Sequence, residues 1–346
     1  MNRMTRTFTD AGVGIKDVAA AASVSTATVS RVLSGGSVSP ALKERVEAAV
    51  RATGYRPNLS ARRLRSKHSR TIGLIVSDIR NPFFTALSRS VEDVAFRADM
   101  RVILCNTDES PEREAMYLRL MEEERVTGMI IAPTRQTADR IERLSFDFPV
   151  VLVDRTGPLG THDAVVIDNL RATRQLIEHL VDLGHRRIGG IFGNTSSTAV
   201  ERHEGYAAAM RSAGLAPEAH FTAPTIAGAA TELARWLGEP DHPRAFIASN
   251  GLLLLGMVKA VRAAGLSIPA DVTLAGFDNE LWTELIGSGL SVIEQPIDEI
   301  GQSAMSLLFD RLERPDAPPR KMVLSGRLIE RTVSGPAEAP PPPGRV

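Results

Sequence analysis

Short polar side chains and one arginine lie close together near the start of the chain, and their types suit hydrogen bonding to the edges of DNA bases. Thr26 occupies an exposed first helical turn, and the face that follows it carries Ala27, Ser30, Arg31 and Ser34. Small side chains let a helix approach the bases in the major groove, where an arginine can donate two hydrogen bonds to a guanine. The opposite face is an apolar stripe of Val29, Val32 and Leu33, which predicts an amphipathic helix.

Two further helices are needed to position this one. An apolar stripe precedes it at i, i+3, i+4 and i+7, formed by Ile15, Val18, Ala19 and Ala22. Ser25 is placed to accept hydrogen bonds from the first amides of the reading helix. Ser39 and Pro40 begin a third helix with Val46, Ala49 and Val50 inward, ending at Gly54. We therefore predict a three-helix head over residues 1–56.

The first 70 residues and the rest of the chain carry opposite net charges. The whole sequence of 346 residues has no net charge, but residues 1–70 hold ten arginines and three lysines against four carboxylates, a net +9. The rest is correspondingly acidic. A basic module for phosphates joined to an acidic body is the expected result. Residues 57–70 form a basic hinge and linker, where Pro57 stops the preceding helix and about two helical turns can follow once a partner orders them.

From residue 71 the pattern alternates between apolar strands and amphipathic helices. Buried parallel strands are predicted at 72–76, 102–104, 129–132, 150–153, 188–192, 245–248 and 273–275. The fold class is α/β: a helix-turn-helix head plus a two-lobed core with parallel sheets. We assign residues 71–334 to the core, with 71–168 and 296–325 in one lobe and 169–295 and 326–334 in the other. Such lobes enclose a ligand cleft at the carboxyl ends of their strands.

Several classes of protein are disfavoured by what the sequence lacks. The single cysteine, Cys105, lies in an apolar run and predicts a buried thiol, which excludes an internal disulfide. The histidines show no metal-ligand spacing, so neither a metal nor a cofactor is expected. The first residues lack the apolar segment of a signal peptide, and no stretch is long enough to span a bilayer, so we expect a cytoplasmic protein. Residues 335–346 are expected to be a disordered, proline-rich tail.

The ordered motifs together resemble the lac repressor family of transcription regulators over about residues 15–333. The matches are Asp17-Val18-Ala19, Val24-Ser25, Thr28-Val29-Ser30-Arg31-Val32, Tyr55-Arg56-Pro57-Asn58, Asn81-Pro82-Phe83-Phe84, Leu183-Gly184-His185 and Gly276-Phe277-Asp278-Asn279. The resemblance implies a core like a periplasmic sugar-binding protein, a homodimer or pair of dimers, and a near-palindromic double-stranded operator. It also implies a small-molecule effector, sugar-like in character, that changes operator affinity. The loop at 34–37 departs from the family by being about one residue shorter.

The resemblance assigns DNA contacts residue by residue. Thr26 and Ala27 match positions that distinguish operators, Arg31 matches a base-contacting arginine, and Leu64 matches a hinge leucine that wedges into the minor groove. The full DNA-binding set is Ser25, Thr26, Ala27, Thr28, Ser30, Arg31, Ser39, Asn58, Ala61, Arg62 and Leu64. The hydroxyls of Ser25, Thr28 and Ser39 would position phosphates. Taken alone, the arginines near Leu64 also fit a solvated charge run.

The resemblance likewise assigns an effector site to Phe83, Phe84, Arg202 and Asp278, with Asn250 as a further candidate. Asp154, Trp282 and Gln295, together with Asp78, are added because they lie at strand or hinge ends near the expected cleft. An aromatic face can stack on a sugar ring, and arginine with aspartate can bind hydroxyls. Arg202 suits a carboxylate or phosphate equally. Sugar sensors of the family often carry Asn-Asp where this chain has Asn250-Gly251.

Other interpretations of the same residues stay open at this point. Asp278 also fits a helix cap, Arg202 a surface pair with Glu201 or Glu204, and Trp282 ordinary packing. The function predicted is a repressor of a catabolic or transport operon. The alternatives are a regulator that responds to a purine or sugar phosphate by corepression, a transport-associated binding protein, an architectural DNA-binding protein, or an α/β enzyme. The sequence lacks a phosphate-binding loop, a nucleophile elbow and a cysteine-histidine pair, so we expect no enzyme activity.

Overall fold

A computed structural model describes residues 13–33, 36–55, 69–157 and 160–331. The chain divides into two compact units, Met1–Lys67 and His68–Val346, which are treated separately below. The predicted hinge contacts at Asn58, Ala61, Arg62 and Leu64 lie outside the described residues, as does the predicted tail at 335–346.

The first unit is the predicted three-helix head. Its helices are Ile15–Ala21 (α1), Thr26–Leu33 (α2) and Pro40–Thr53 (α3). Val18, Val29 and Val46 are fully buried at their meeting point, one from each helix. Gly54 ends α3 with φ +66°, a left-handed conformation that glycine adopts without steric cost. The apolar spacing in the sequence therefore places all three helices correctly.

The second unit contains two six-stranded sheets, each the core of one lobe. Lobe 1 has the strand order β11-β5-β4-β3-β1-β2, with β1 Thr71–Val76, β2 Arg101–Asn106, β3 Gly128–Ile131, β4 Val150–Val153, β5 Asp163–Ile167 and β11 Lys321–Leu324. Lobe 2 has the order β12-β10-β9-β8-β6-β7, with β6 Ile188–Gly193, β7 Glu218–Thr222, β8 Ala245–Ala248, β9 Thr273–Phe277, β10 Ser291–Glu294 and β12 Arg327–Ile329. The pairing of β10 with β12 is antiparallel, and the other pairings described are parallel. The predicted parallel sheets are confirmed.

Helices cover the sheets as crossover connections require. They are α4 Pro82–Arg97, α5 Pro111–Glu123, α6 Arg135–Ala138, α7 Asn169–Asp182, α8 Ser197–Ser212, α9 Ile226–Leu237, α10 Gly251–Ala263 and α11 Ile297–Glu313, with 3₁₀ turns at Ile141–Arg143 and Leu281–Leu285. Helix α11 packs against α4 and lies on β3, β4 and β5, although it follows the strands of lobe 2 in sequence. Among the described residues the chain thus crosses between the lobes three times, after β5, after β10 and between β11 and β12.

The sequence-based strand assignment is incomplete, and at one edge it is wrong. Residues 102–104 were predicted as a buried strand, but β2 lies at the edge of its sheet and Leu104 is 48% exposed. Five of the described strands were not predicted: β5 and β10 inside the sheets and β7, β11 and β12 at their edges. Cys105 in β2 is buried, as expected.

Candidate effector cleft and nucleic-acid interface

The carboxyl ends of the strands in lobes 1 and 2 surround a cavity of about 50 Å³. Its lining residues are Asp78, Asn81, Phe83, Phe84, Glu109, Asp154, Arg155, Gly193, Thr195, Ser196, Thr198, Ala199, Arg202, Pro224, Ser249, Asn250, Leu252, Asp278 and Gln295. Seven of the eight predicted effector residues are among them. The cleft mixes aromatic, carboxylate and guanidinium groups, which suits a ligand with both hydroxyl groups and an apolar face.

Arg202 projects from α8 and is 4% exposed. Its Nε donates to Oδ1 of Asn169 at 2.7 Å, and its Nη1 donates to the carbonyl of Ser249 at 2.5 Å. The guanidinium carbon lies 3.9 Å from the ring centroid of Phe277, a cation-π contact. Burial lowers the pKa of Arg202, although Asp278 and Asp154 oppose that shift. The surface pair with Glu201 or Glu204 is therefore ruled out, and further N–H donors of Arg202 have no described protein partner.

Asp278 follows β9, and it both caps a helix and lines the cavity. Its Oδ2 accepts from the amide of Gly251 at 2.9 Å, which caps the start of α10, and its Oδ1 accepts from Nε2 of Gln295 at 2.6 Å. The residue is 3% exposed and has a φ of +76°. Asn250 is the N-cap of the same helix and accepts from the amide of Leu253 at 2.8 Å. Asp278, Asn250 and Gln295 are thus fixed by one another and by a helix terminus.

Phe83 and Phe84 enter the cleft from the start of α4. Asn81 caps this helix by accepting from the amide of Phe83 at 3.1 Å, and Pro82 is its first residue. The two rings pack edge to face with centroids 5.0 Å apart. Both side chains are under 5% exposed and belong to the main hydrophobic cluster, yet both line the cavity. Phe83 and Phe84 therefore form a wall between the hydrophobic core and the cavity.

Asp154 lies at the end of β4 with a φ of +64°. Burial raises the pKa of its carboxyl, while Arg155 and Arg202 act against that shift. The neighbouring Arg155 is 5% exposed and donates to both carboxylate oxygens of Glu109, at 2.9 and 2.5 Å. Sequence reasoning missed Arg155 and Glu109. Their only signal was a position directly after a buried strand, because 46 residues separate the partners.

Trp282 is the one predicted effector residue that the structure does not place in the cavity lining. It lies in the 3₁₀ turn Leu281–Leu285 and packs, half-buried, against the hydrophobic cluster of lobe 2. Its prediction as an effector contact is corrected to a packing role, because the side chain packs against the apolar core of lobe 2 and does not line the cavity.

The described part of the DNA-binding set lies on and around α2. Ser25, Thr26, Ala27, Arg31 and Ser39 are exposed, and Thr28 and Ser30 are half-buried. Ser25 Oγ accepts from the amide of Thr28 at 3.1 Å and lies 2.9 Å from its hydroxyl oxygen, so the predicted cap is present. Ser39 occupies the N-cap position of α3, but its side chain makes no cap hydrogen bond. Val29 and Val32 hold the other face of α2 against the core of the head.

The described residues offer neither a metal site nor a membrane span. No group of three or more histidine, cysteine, aspartate or glutamate side chains there is arranged to hold a metal ion. Over the same residues, none of the helices combines the length and the hydropathy needed to cross a membrane.

Two family descriptions match this chain. Residues 14–58 match the family described as "Bacterial regulatory proteins, lacI family", and residues 177–333 match "Periplasmic binding protein-like domain". The HTH-type transcriptional regulator KdgR of Bacillus subtilis is 32% identical over 92% of this chain and 96% of its own length.

Solved structures agree with the sequence relatives. The lac repressor dimer bound to operator and the anti-inducer ONPF is 25% identical, with a TM-score of 0.82 over 93% of this chain and 99% of that one. A LacI family transcriptional regulator from Enterococcus faecium with bound ribose is 30% identical, with a TM-score of 0.68 over 78% of this chain and all of that one.

Proposed function

This chain belongs to the LacI family of HTH-type transcriptional regulators, and from that premise we propose that it represses a catabolic or transport operon under control of a sugar-like effector. The relatives are regulators and not enzymes, so the enzyme alternative is set aside. The observation that carries the proposal is the cleft in which Arg202 and Asp278 of lobe 2 lie with Asp154 and Phe84 of lobe 1.

The cleft chemistry supports a polyhydroxylated ligand. Phe83 and Phe84 offer aromatic surface for the apolar face of a sugar ring. Arg202 has donors left for hydroxyl oxygens after its bonds to Asn169 and Ser249, and Asp154 has acceptors left. Charge-assisted hydrogen bonds of this kind are stronger than neutral ones. The ribose found in the Enterococcus relative belongs to the same class of ligand.

For DNA, we propose that two copies bind a near-palindromic operator, one α2 in each half-site. A two-fold symmetric dimer matches a two-fold symmetric sequence, and the related lac repressor binds its operator as a dimer. Pairing of dimers into a tetramer is left to measurement of molecular mass. Action on chromosomal operators places the protein in the cytoplasm.

The effector acts in this proposal by binding the two arrangements of the lobes with different affinity. A ligand held by Asp154 on lobe 1 and Arg202 on lobe 2 stabilises one angle between the lobes. Only such a difference in affinity can shift the equilibrium between states, and operator affinity then changes by the same coupling. Whether the effector induces or corepresses is decided by which state binds DNA.

The test is a footprint on the DNA flanking the gene, combined with thermal-shift screening against neutral sugars, sugar phosphates and purines. We expect protection of two half-sites about one or two helical turns apart. We also expect a sugar to raise the melting temperature by mass action. Binding without sequence preference would contradict the DNA proposal, and stabilisation by a purine or sugar phosphate alone would favour the corepression alternative.

A further inference from the structure

Arg155 joins three segments of lobe 1 that are remote in sequence. Its Nη1 and Nη2 bind the two carboxylate oxygens of Glu109 in the loop after β2. The same Nη1 donates to the carbonyl of Pro133, in the loop after β3, at 3.1 Å. Arg155 itself follows β4. One buried guanidinium therefore ties together the carboxyl ends of three strands that form the lobe 1 wall of the cleft.

The segments that it joins are themselves tightly held. Glu114 is fully buried and accepts from the amide and hydroxyl of Thr134, at 2.8 and 2.6 Å, which fixes the turn after Pro133. The amide of Glu109 bonds the carbonyl of Ser77 at 3.2 Å. Both loops that Arg155 joins to its own segment are therefore held by further hydrogen bonds.

Asp154 differs from Arg155 and Glu109 in the hydrogen bonding of its side chain. Nε of Arg155 lies 3.2 Å from its Oδ2, but no hydrogen bond to its carboxylate comes from the described residues. Its side chain is 10% exposed and lines the cavity. The charge of Arg155 is thus shared with Asp154 while its well-aligned hydrogen bonds go to Glu109 and Pro133. The acceptor sites of Asp154 stay open toward the cleft.

We propose that Arg155 is a positioning residue, which through its pair with Glu109 holds the lobe 1 wall in place and keeps Asp154 presented to the effector as an acceptor. The part that concerns the effector rests on the proposed function. The tie between the three loops does not. Glu109 and Pro133 take three of the four Nη protons of Arg155, so we assign it to holding the loops rather than to binding the effector.

Hydrogen exchange of the intact, unliganded protein tests the tie. Arg155→Gln and Glu109→Gln should speed amide exchange at all three loops, at residues 107–110, at Thr134 and at residues 154–156. Loss of a charge-assisted bond corresponds to about a tenfold or larger increase in local opening. Arg311→Gln is the matched control. It removes a second buried Arg-carboxylate pair of the same lobe, with Asp163, outside the cavity lining, and should leave the three loops unchanged. Faster exchange confined to residues 154–156 would overturn the proposal.

The pKa midpoint of the Asp154 carboxyl, measured by carbon NMR, is a second readout. Loosened packing alone would not shift this midpoint in opposite directions in the two variants. The charged groups that face Asp154 are Arg155, Arg202, Glu109 and Asp278. Arg155→Gln should raise the midpoint of Asp154, because an attracting cation is lost, whereas Glu109→Gln should lower it. If Arg155→Gln fails to fold, the near-isosteric Glu109→Gln carries the test. Midpoints unchanged in the folded variants would contradict the positioning role, and neither measurement needs an effector.

Discussion

At the scale of single residues, the charged groups of the cleft differ in how many protein partners they have. Asp278 accepts hydrogen bonds from Gly251 and Gln295, Arg202 donates two hydrogen bonds and keeps further donors, and the carboxylate of Asp154 accepts none from the described residues. A buried charge is tolerated only with partners, so a ligand that fills the remaining donors and acceptors stabilises the site. The identities of these residues could be predicted from the sequence, but the number of protein partners of each could not.

Asp278→Ala should abolish the response of operator binding to the effector while leaving operator affinity itself intact. The carboxylate fixes Gln295 and the start of α10, so its loss also lowers the free energy of unfolding by about 1 kcal/mol. Fluorescence anisotropy with labelled operator measures both affinity and response. Asp271→Ala is the control, since Asp271 caps a loop amide at Ser267 in the same way and does not line the cleft. An unchanged effector response in Asp278→Ala would remove it from the site.

Cys105 gives a prediction about alkaline stability. Burial raises the pKa of its thiol to about 11 from an ordinary value of 9.0. Between these values the unfolded chain has lost the proton and the folded chain has kept it, so the free energy of unfolding falls as pH rises. The fall should reach about 1 kcal/mol by pH 10 and be absent in Cys105→Ala. Urea unfolding of both proteins from about pH 8 to 10 measures it; parallel pH profiles would contradict the assignment.

At the scale of elements, apolar runs and helix caps could be predicted from the sequence because their signals are local. The three head helices and seven of the twelve described strands follow from spacing alone. Strand β7 and the exposed edge of β2 could not be placed, since position within a sheet depends on neighbours distant in sequence. The pairing of Arg155 with Glu109 and the packing of Trp282 escaped prediction for the same reason: both depend on tertiary contacts.

The caps of α2 and α3 form a matched pair for measurement. Ser25 accepts from the amide of Thr28, whereas the side chain of Ser39 makes no such bond. Ser25→Ala should therefore destabilise its helix by about 1 kcal/mol, and Ser39→Ala by much less. Hydrogen exchange of residues 26–33 and 40–53 in the intact, DNA-free protein measures each. Equal losses of helix stability in the two variants would show that the hydrogen bond of Ser25 adds nothing beyond what Ser39 contributes without one.

Arg31 on α2 gives a prediction about sequence discrimination. Arg31→Ala should weaken operator binding by about 1 to 3 kcal/mol and reduce the ratio of operator to scrambled-DNA affinity. Arg51→Ala, an exposed arginine in the last turn of α3, is the control. We expect it to leave that ratio unchanged. Electrophoretic mobility shifts at a fixed salt concentration measure both affinities. An equal loss on operator and scrambled DNA would make Arg31 a phosphate contact instead.

At the scale of the whole molecule, a basic head is followed by an acidic core, and the proposed effector binds between the two lobes of that core. The division of charge, +9 in residues 1–70 against −9 in the rest, keeps DNA binding with the head. The three chain crossings allow the lobes to change their angle without breaking either sheet. Regulation then requires that the occupied and empty clefts differ in operator affinity.

The most direct measurement is the dissociation constant for operator DNA with and without a ligand that raises the melting temperature of the intact protein. The account predicts a change of about fivefold to a hundredfold in the dissociation constant, as expected of allosteric coupling. It also predicts the same factor, reciprocally, when ligand affinity is measured with and without operator. An operator dissociation constant that stays the same with every stabilising ligand would contradict the central claim.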